Sequence, residues 1–411
     1  MVVAVRAMSF EEAPYLPLRL VEEQLDTLEG LWLRRPALVF DKRLDPSHVR
    51  KLDQRIDALL RGLALRREAS IREAALRMAS PLRSECFAST RAFLYLSGVS
   101  AVDSGGCLAI RPRCEGVIAQ AARDVPREIA LRLSPGHPIA LEALGRHELL
   151  EPATLLPHLE ATSPSVLFAL RAARHLTSSD AVLAACLKLA FGKPQPHQPV
   201  GAVAHALFVL GLACAKSVER DAFPALVDTV LGDAIFDRPY AVRVMAVFGN
   251  AVTARRVGAR ALAAPTAELG FCLGMLGVAE QAAVLAGMVE RGPEPLGLEA
   301  MRALHTMSGV WPARSISGAL RDDGRGVQPN GAVARALAEG LAQERRTRRH
   351  LGVELERSPA ASAPATLHWL HGITTGDARS ALEVPDGLLE PRSRPRALWE
   401  LGPPQEEADA R

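Results

Sequence analysis

The sequence contains few aromatic residues and no long hydrophobic run. Phe, Trp and Tyr make up only 4% of the 411 residues, whereas 48% are hydrophobic, with alanine and leucine supplying most of that fraction. β-Sheets favour β-branched and aromatic residues, while alanine and leucine favour helices. The composition therefore predicts a mostly α-helical chain with ample apolar material for a buried core.

The sequence also offers no segment typical of a membrane protein or a secreted protein. Its longest uncharged apolar stretch, residues 200–215, contains His205 and is shorter than the roughly 20 residues that span a bilayer. Arg6, Glu11 and Glu12 interrupt any apolar core of an N-terminal signal. Most of the six cysteines lie in apolar stretches, which is typical of small core residues in a reducing compartment. We therefore expect a cytoplasmic protein with no membrane span.

Neither sign of charge is in excess, since 49 Lys and Arg against 46 Asp and Glu give a net charge of +3. Such a chain exerts little long-range attraction on nucleic acid, although local clusters could neutralise phosphates. The densest basic cluster, within residues 343–350, contains Arg345, Arg346, Arg348 and Arg349. No aromatic side chains for base stacking interleave with it, so we predict a solvated or partner-facing surface there, with nucleic-acid binding as the alternative.

The common signatures of catalysis and nucleotide binding are missing. The sequence has no P-loop, nucleophile elbow, HExxH motif, CxxC pair or EF-hand loop. Cys107 and Cys114 are further apart than paired structural zinc ligands. His368 and His371 could share a helix face, but no carboxylate or cysteine accompanies them closely. The sequence therefore predicts no catalytic residue, no metal ligand and no cofactor.

Paired helical segments recur from about residue 138 to 320. Each pair is an alanine-rich apolar segment, a short turn and a second apolar stretch, the last of which is RSISGAL. The pairs begin at residues 138, 165, 200, 239, 266 and 296, which are 27 to 39 residues apart. One such pair cannot bury its apolar faces alone, and stacking on its neighbours completes the core. The pattern predicts an α-solenoid.

Glycines lie within or after many of these segments. Gly145, Gly211, Gly249 and Gly277 are predicted to end helices in the left-handed conformation. The spaced glycines of LGFCLGMLG follow no predicted strand, so they favour close helix packing over a phosphate-binding loop.

The N-terminal stretch 18–35 has two stripes at helical spacing. Its apolar stripe consists of Leu18, Val21, Leu25, Leu28 and Trp32. The opposite stripe carries Glu22, Asp26 and Glu29. Asp45-Pro46 is a typical start for a second helix, which carries Val49, Leu52, Ile56, Leu59 and Leu63 on one face. We interpret the carboxylates as the solvated outer face of a helical hairpin and not as an acidic active site.

Composition divides the chain into three regions. Residues 1–85 are predicted to form the N-terminal helical hairpin cap, and residues 86–320 the solenoid. Residues 321–411 are predicted to contain a charged helix over 331–355 and a partly flexible tail.

Three stretches resemble known proteins. LVEEQLDTLEGLWLRRPALVF and LDPSHVRKLDQRIDALLRGLAL resemble the start of an uncharacterised bacterial family of HEAT-repeat-like proteins, which opens with a LEEHLDELxxLWxxR-type helix. DRPYAVRVMAVFGN is similar to the general HEAT pattern. The matching positions are Asp237, Val242, Arg243, Ala246 and Gly249. The resemblance implies a HEAT-like superhelix with no assigned catalytic residues. It also implies an accessory or adaptor role in type VI secretion, because the family's genes often lie near that system.

The leading functional prediction is a non-enzymatic scaffold that binds a protein partner on its concave surface. One alternative is nucleic-acid binding through the arginine clusters. Another is a lyase-like enzyme, since some HEAT-like repeats belong to chromophore lyases. An enzyme would need a cleft with converging titratable groups, and the sequence gives no sign of one.

Overall fold

A computed structural model describes the chain in several ranges. They are residues 15–39, 46–78, 83–96, 101–102, 108–109, 141–142, 145, 150–161, 165–193, 197–216, 222–238, 240–310, 313–315, 327–343, 349–350, 353–355, 369–371, 373–374 and 388–389. Helices dominate these ranges, and the strands are only two or three residues long. The prediction of an all-α fold is therefore confirmed.

The first four helices pack against one another. They are α1 (Tyr15–Val39), α2 (Pro46–Ala64), α3 (Arg67–Arg77) and α4 (Arg83–Leu96). Their shared apolar cluster reaches as far as Leu96. α2 starts at Pro46 as predicted, because proline has no N–H to leave unbonded at a helix start.

The predicted apolar stripe of α1 is buried except at its first member. Val21, Leu25, Leu28 and Trp32 are at most 5% exposed, whereas Leu18 is 39% exposed. On α2, Leu60 is fully buried and Leu59 only partly so. Helix periodicity thus located the core-facing side to within about one position.

Eleven further described helices follow. They are α5 (Pro152–Leu159), α6 (Ser165–Ala173), α7 (Asp180–Phe191), α8 (Ala202–Lys216), α9 (Ala222–Val230), α10 (Ala241–Phe248), α11 (Ala251–Ala263), α12 (Ala267–Leu276), α13 (Ala282–Arg291), α14 (Glu294–Ser308) and α15 (Gly331–Ala342). Short 3₁₀ helices, Gly232–Asp237 and Ala279–Gln281, precede α10 and α13.

Helices two apart along the chain lie side by side. α6, α8, α10, α12 and α14 contact one another in that order, and we call them the inner row. The intervening helices α7, α9, α11 and α13, the outer row, pack against the inner row. No described side chain of α6, α8 or α10 is exposed, whereas each outer helix has one buried and one exposed face. Helices that are apolar on every side belong in the interior, which explains this division.

Small residues allow inner helices to approach closely. A Cβ atom on Gly274 of α12 would lie 2.7 Å from Ala303 Cα of α14. A Cβ atom on Gly211 of α8 would lie 2.5 Å from the Phe248 ring. Real Cβ atoms do not tolerate such distances, so both positions require glycine.

The prediction of left-handed helix ends is correct only for Gly277, which ends α12 with φ 64°. Gly249 ends α10 with φ −74°, and Gly211 lies inside α8. Gly145 is helical, and its Cβ position is occupied by Ala172. At these sites glycine serves close packing or an extended exit from the helix.

Three antiparallel ribbons are present among the described residues. They pair β1 (Ala101–Val102) with β2 (Leu108–Ala109), β3 (Ala313–Ser315) with β4 (Val327–Pro329), and β5 (Arg349–His350) with β6 (Val353–Glu354). Two sequence predictions are wrong here. RSISGAL begins in β3 and not in a helix, and the helix predicted over 331–355 ends at Ala342.

Residues from the C-terminal region complete the main core. Leu355, Trp369, Leu370, Ile373, Leu388 and Leu389 are at most 5% exposed and belong to the same apolar cluster as the inner row. We call these six residues the C-terminal core residues. They lie within the region predicted to hold a partly flexible tail. Residues 391–411, the stretch to which that flexibility was assigned, are outside the described ranges.

Candidate functional site

The arginine cluster predicted from the sequence lies largely outside the described ranges. Arg345, Arg346 and Arg348 are not among them, and for Arg349 only the backbone is described, at the start of β5. Cys107, Cys114 and His368 also lie outside the described residues. His371 is described, and its Nδ1 atom lies 2.6 Å from the Leu355 carbonyl oxygen. That contact ties two parts of the C-terminal region together.

Asp26, one of the carboxylates of α1, belongs to a structural ion-pair network. Arg77 Nη1 donates to Asp26 Oδ1 at 2.5 Å and lies 3.8 Å from Glu85 Oε1, while Arg77 Nε donates to Glu73 Oε1 at 2.8 Å. Burial alone would lower the pKa of Arg77, but its bonds to Glu73 and Asp26 outweigh burial and raise that pKa. The guanidinium therefore links α1, α3 and α4.

A buried polar pair connects two inner-row segments. Arg174, just after α6, is 6% exposed, and His205 of α8 is 2% exposed. Arg174 Nη2 lies 2.6 Å from His205 Nδ1. A guanidinium can only donate hydrogen bonds, so His205 Nδ1 accepts. The Arg174 guanidinium also lies 5.3 Å from the centre of the Phe208 ring, which favours a positive charge over its face.

Three buried cysteines are held in the protonated thiol form. Burial raises the pKa of Cys86 to about 11 and that of Cys186 to about 12. Burial also raises the pKa of Cys272 well above its ordinary value. Because the thiolate is the nucleophile, these three side chains act as core residues at neutral pH.

Arg243, in the segment that resembles the HEAT pattern, forms an ion pair through two hydrogen bonds. Arg243 of α10 donates from Nε and Nη2 to the two carboxylate oxygens of Glu268 on α12, at 2.5 and 2.7 Å. Burial opposes the charge on Arg243, but the bond to Glu268 raises its pKa overall. The pair joins adjacent inner helices, and the Tyr240 ring lies 4.6 Å from the guanidinium. Two hydrogen bonds between one guanidinium and one carboxylate hold the two helices together, so we interpret the pair as structural.

α11 is held firmly on its buried side. The Asn250 side chain accepts from Val252 N and Thr253 N at 3.0 and 3.2 Å, forming an N-cap. Gly258 fits against Gln281, whose amide occupies the place of a Cβ atom. The buried face consists of Thr253, Ala254, Val257, Gly258 and Ala261.

The opposite face of α11 carries exposed apolar side chains together with arginines. Val252 is 49% exposed and Leu262 is 65% exposed. Ala259 and Ala263 are also exposed and lie on the same side of the helix as Val252. An amphipathic helix usually turns charged residues outward, and here four apolar side chains share that face with the arginines. We call these four residues the α11 outer face.

Arginines lie among and beside the residues of the α11 outer face. Arg255 and Arg260 are both exposed. Arg255 Nε donates to the Ala251 carbonyl oxygen at 3.4 Å, and the Arg260 guanidinium lies 5.9 Å from the Phe236 ring centre. Among the described residues, no carboxylate lies within ion-pair distance of either arginine.

A third arginine of α11 anchors the helix to the previous pair. Arg256 Nη1 donates to Asp228 of α9, and Arg256 Nη2 donates to Asp233 at 3.0 Å. Its charge is therefore offset by two aspartates, and it fixes α11 in position. The charge available to a partner is that of Arg255 and Arg260.

Neighbouring outer helices also expose apolar side chains. Leu187 of α7 is 38% exposed, and Val230 of α9 is 48% exposed. Large exposed apolar surfaces on proteins often mark sites of interaction. The N-terminal region also exposes Leu33, Leu65 and Leu76, so the outer row is one candidate interaction surface of the described chain.

Sequence reasoning missed the α11 outer face. The stretch VGARALAAP is the second apolar stretch of the pair that begins at residue 239, and the pattern does not distinguish its covered side from its exposed side. Periodicity identifies apolar faces but does not indicate which of two is covered. The available signal was three arginines with no acidic residue in AVTARRVGARALA, since a helix with charges of one sign must find its counter-charges outside the helix.

Within the described ranges, no group of three or more His, Cys, Asp and Glu side chains is placed to hold a metal ion. None of the described helices combines the length and the hydropathy of a transmembrane segment. Comparisons with protein-family models, with curated proteins and with solved structures found no match for this chain.

Proposed function

We propose that the chain is an α-solenoid scaffold of HEAT-like helical pairs, and that it binds a protein partner through its outer row. The stacking pattern supports this proposal, because inner helices contact inner helices two apart along the chain. In stacked repeats each unit contacts its neighbours and contributes to one continuous surface. The residues 1–85 would then act as the cap at one end.

One observation favours the outer row over the inner row as the binding surface. The inner row is covered in part by the C-terminal core residues, with Trp369 stacked on Phe208 of α8, whereas the outer row exposes Leu187, Val230 and Leu262. A partner on the concave side would have to compete with this packing. A partner on the outer row would bury apolar area that the folded chain leaves in water.

The resemblance to HEAT-repeat-like proteins supports an accessory or adaptor role in type VI secretion. An adaptor needs rigid binding surfaces more than it needs a reactive site. Partly buried ion pairs such as Arg243 with Glu268 supply such rigidity between adjacent helices.

The test compares partner recovery between the wild-type chain and two triple variants. Full-length tagged chain is purified from the source organism, and co-purifying proteins are quantified by mass spectrometry. The first variant, Leu187→Asp with Val230→Asp and Leu262→Asp, places charges on the outer row. The matched control, Leu33→Asp with Leu65→Asp and Leu76→Asp, alters leucines of the N-terminal region that are 59 to 86% exposed.

The proposal predicts one reproducible partner with the wild type and the control, and its loss with the outer-row variant. Both variants should retain the circular dichroism of the wild type, because they replace exposed side chains. Recovery of the wild-type chain alone would overturn the proposal. Equal recovery of the partner with the outer-row variant would also overturn it.

A further inference from the structure

We infer that the C-terminal region is an intramolecular ligand of the inner row, and that its release opens a peptide-binding site at Phe208 of α8. The inference goes beyond the proposed function, which places a partner on the outer row. It depends on three features of the described residues: the path of the C-terminal region, the spacing of its apolar anchors and the aromatic side chains that receive Trp369.

The C-terminal region crosses several helices of the inner row. β5 contacts α14 and α12, and Trp369 stacks on Phe208 of α8. The region therefore runs from the last inner helices back toward α8, against the order in which the inner helices follow one another. A repeat unit of a solenoid contacts its neighbours, whereas a bound segment lies across several units. The path is thus that of a segment bound on the inner row and not that of a further helical pair.

The apolar residues around Trp369 have the spacing of a helical binding motif. The described residues there are helical, and Trp369, Leu370 and Ile373 are at most 5% exposed. Ile373 lies three positions after Leu370 and four after Trp369, so the three side chains share one side of the helical turn. His371, on the other side, is only partly buried. Helical segments bind apolar grooves through anchors at this spacing.

Aromatic side chains of the inner row receive Trp369. The Trp369 ring stacks on Phe208 with the ring centres 6.5 Å apart, and Phe208 in turn meets the Phe248 ring. Phe208 is fully buried in this arrangement. Removal of Trp369 would take away the cover over one face of Phe208. An aromatic side chain of another segment would then find an apolar surface on which to stack.

Covalent attachment favours the C-terminal region over any free peptide at this site. A ligand on the same chain binds at a high effective concentration, so a competitor must match its anchors to displace it. Leu388 and Leu389 add a second pair of anchors, since both are buried in the same apolar cluster as Trp369. The stack of Trp369 on Phe208 is therefore an autoinhibitory contact, which closes the inner row to peptides that lack these anchors.

The experiment removes the covalent link while keeping every residue of the chain present. A protease recognition sequence is inserted between Ala361 and Ser362, which lie outside the described ranges, and the full-length chain is studied before and after cleavage. The probe is a fluorescent synthetic peptide with the sequence of residues 362–392. Its binding is measured by fluorescence anisotropy after overnight incubation, and circular dichroism measures the helix content of the chain. Control peptides carry Trp369→Ala or a scrambled sequence.

The inference predicts that the cleaved chain keeps its helix content and takes up the labelled peptide. The uncleaved chain should bind the peptide at least about tenfold more weakly, because the attached segment occupies the site. The cleaved chain should bind the Trp369→Ala peptide at least about tenfold more weakly than the wild-type peptide, and the scrambled peptide not at all. Phe208→Leu in the cleaved chain should also weaken uptake, whereas Leu65→Ala, at an exposed position, should leave it unchanged.

Loss of helix content on cleavage would overturn the inference, because the C-terminal region would then be an integral part of the core. Retention of the original fragment with no uptake of the labelled peptide would overturn it too. Equal binding by the cleaved and uncleaved chains, or equal binding of the wild-type and Trp369→Ala peptides, would place the peptide elsewhere and contradict the assigned site. None of these outcomes involves the outer row, so the proposed function stands or fails separately.

Discussion

Phe208 of α8 and Trp369 of the C-terminal region stack with their ring centres 6.5 Å apart and their planes 7° from parallel. The two residues are 161 positions apart in the sequence, from 208 to 369. Phe208 also meets the edge of the Phe248 ring at 5.2 Å. Phe208, Phe248 and Trp369 thus form an aromatic cluster where the C-terminal region meets the inner row.

This stack should be a measurable source of stability. Trp369→Ala is expected to lower the free energy of unfolding by about 3 to 5 kcal/mol, because the side chain is almost fully buried. In a double-mutant cycle, Phe208→Ala and Trp369→Ala should couple by about 0.5 to 1.5 kcal/mol. Urea denaturation followed by circular dichroism measures both values. Phe208→Ala combined with Trp32→Ala, in the N-terminal cluster, serves as the additive control.

The close approach of α12 and α14 should make Gly274 intolerant of a side chain. Gly274→Ala is expected to destabilise the chain by about 1 to 3 kcal/mol, since the new methyl group would overlap Ala303. Gly340→Ala in α15 is the matched control, because no atom lies within 4 Å of its Cβ position. It should stabilise the chain by about 0.5 to 1 kcal/mol through a lower entropy of the unfolded state. Destabilisation of equal size at both sites would contradict the packing described for Gly274.

The two stripes of α1 should respond differently to substitution. Leu28→Ala is expected to cost about 2 to 5 kcal/mol, because Leu28 is fully buried. Glu22→Gln should change the free energy of unfolding by no more than about 0.5 kcal/mol, as for other surface positions. Thermal or urea unfolding of the two single variants measures both changes in the free energy of unfolding. A large loss from Glu22→Gln would indicate that the acidic face has a structural role beyond solubility.

Alkaline pH should destabilise the chain through its buried thiols. The pKa of Cys186 is about 12 in the folded chain against 9.0 for an ordinary thiol, so the unfolded chain loses that proton first. The folded state then binds more protons, and the free energy of unfolding falls as the pH rises above about 9. Between pH 8 and pH 10, the wild type should lose more stability than Cys186→Ala, by up to about 1.4 kcal/mol per pH unit. If the free energy of unfolding falls equally with pH in the two chains, the burial of the Cys186 thiol is contradicted.

The helical architecture could be predicted because it depends on local signals. Alanine and leucine content, apolar spacing and Pro46 locate helices and their starts without knowledge of the tertiary fold. The buried stripe Val21, Leu25 and Leu28 follows from the same periodicity. Of the glycines, Gly277 behaves as its local context predicts, whereas Gly211 is fixed by its distant neighbour Phe248.

The candidate site could not be predicted because it depends on which surfaces remain uncovered. Trp369 lies in the region predicted to hold a charged helix and a partly flexible tail, yet it packs on α8. Leu262 lies in an alanine-rich helix typical of a core, yet it is 65% exposed. The burial of Trp369 and the exposure of Leu262 depend on contacts between segments far apart in the sequence. Amino-acid composition and hydrophobic periodicity do not indicate those contacts.

The central claim is that the outer row is where a protein partner binds, and site-specific photo-crosslinking in cells of the source organism tests it most directly. A photoreactive amino acid replaces Ala259 in one chain and Ala75, an exposed alanine of α3, in another. If a partner binds the outer row, position 259 gives a discrete crosslinked adduct that contains the partner recovered by co-purification, and position 75 gives none. The absence of an adduct at 259, or the same adduct from both positions, would contradict binding at the outer row.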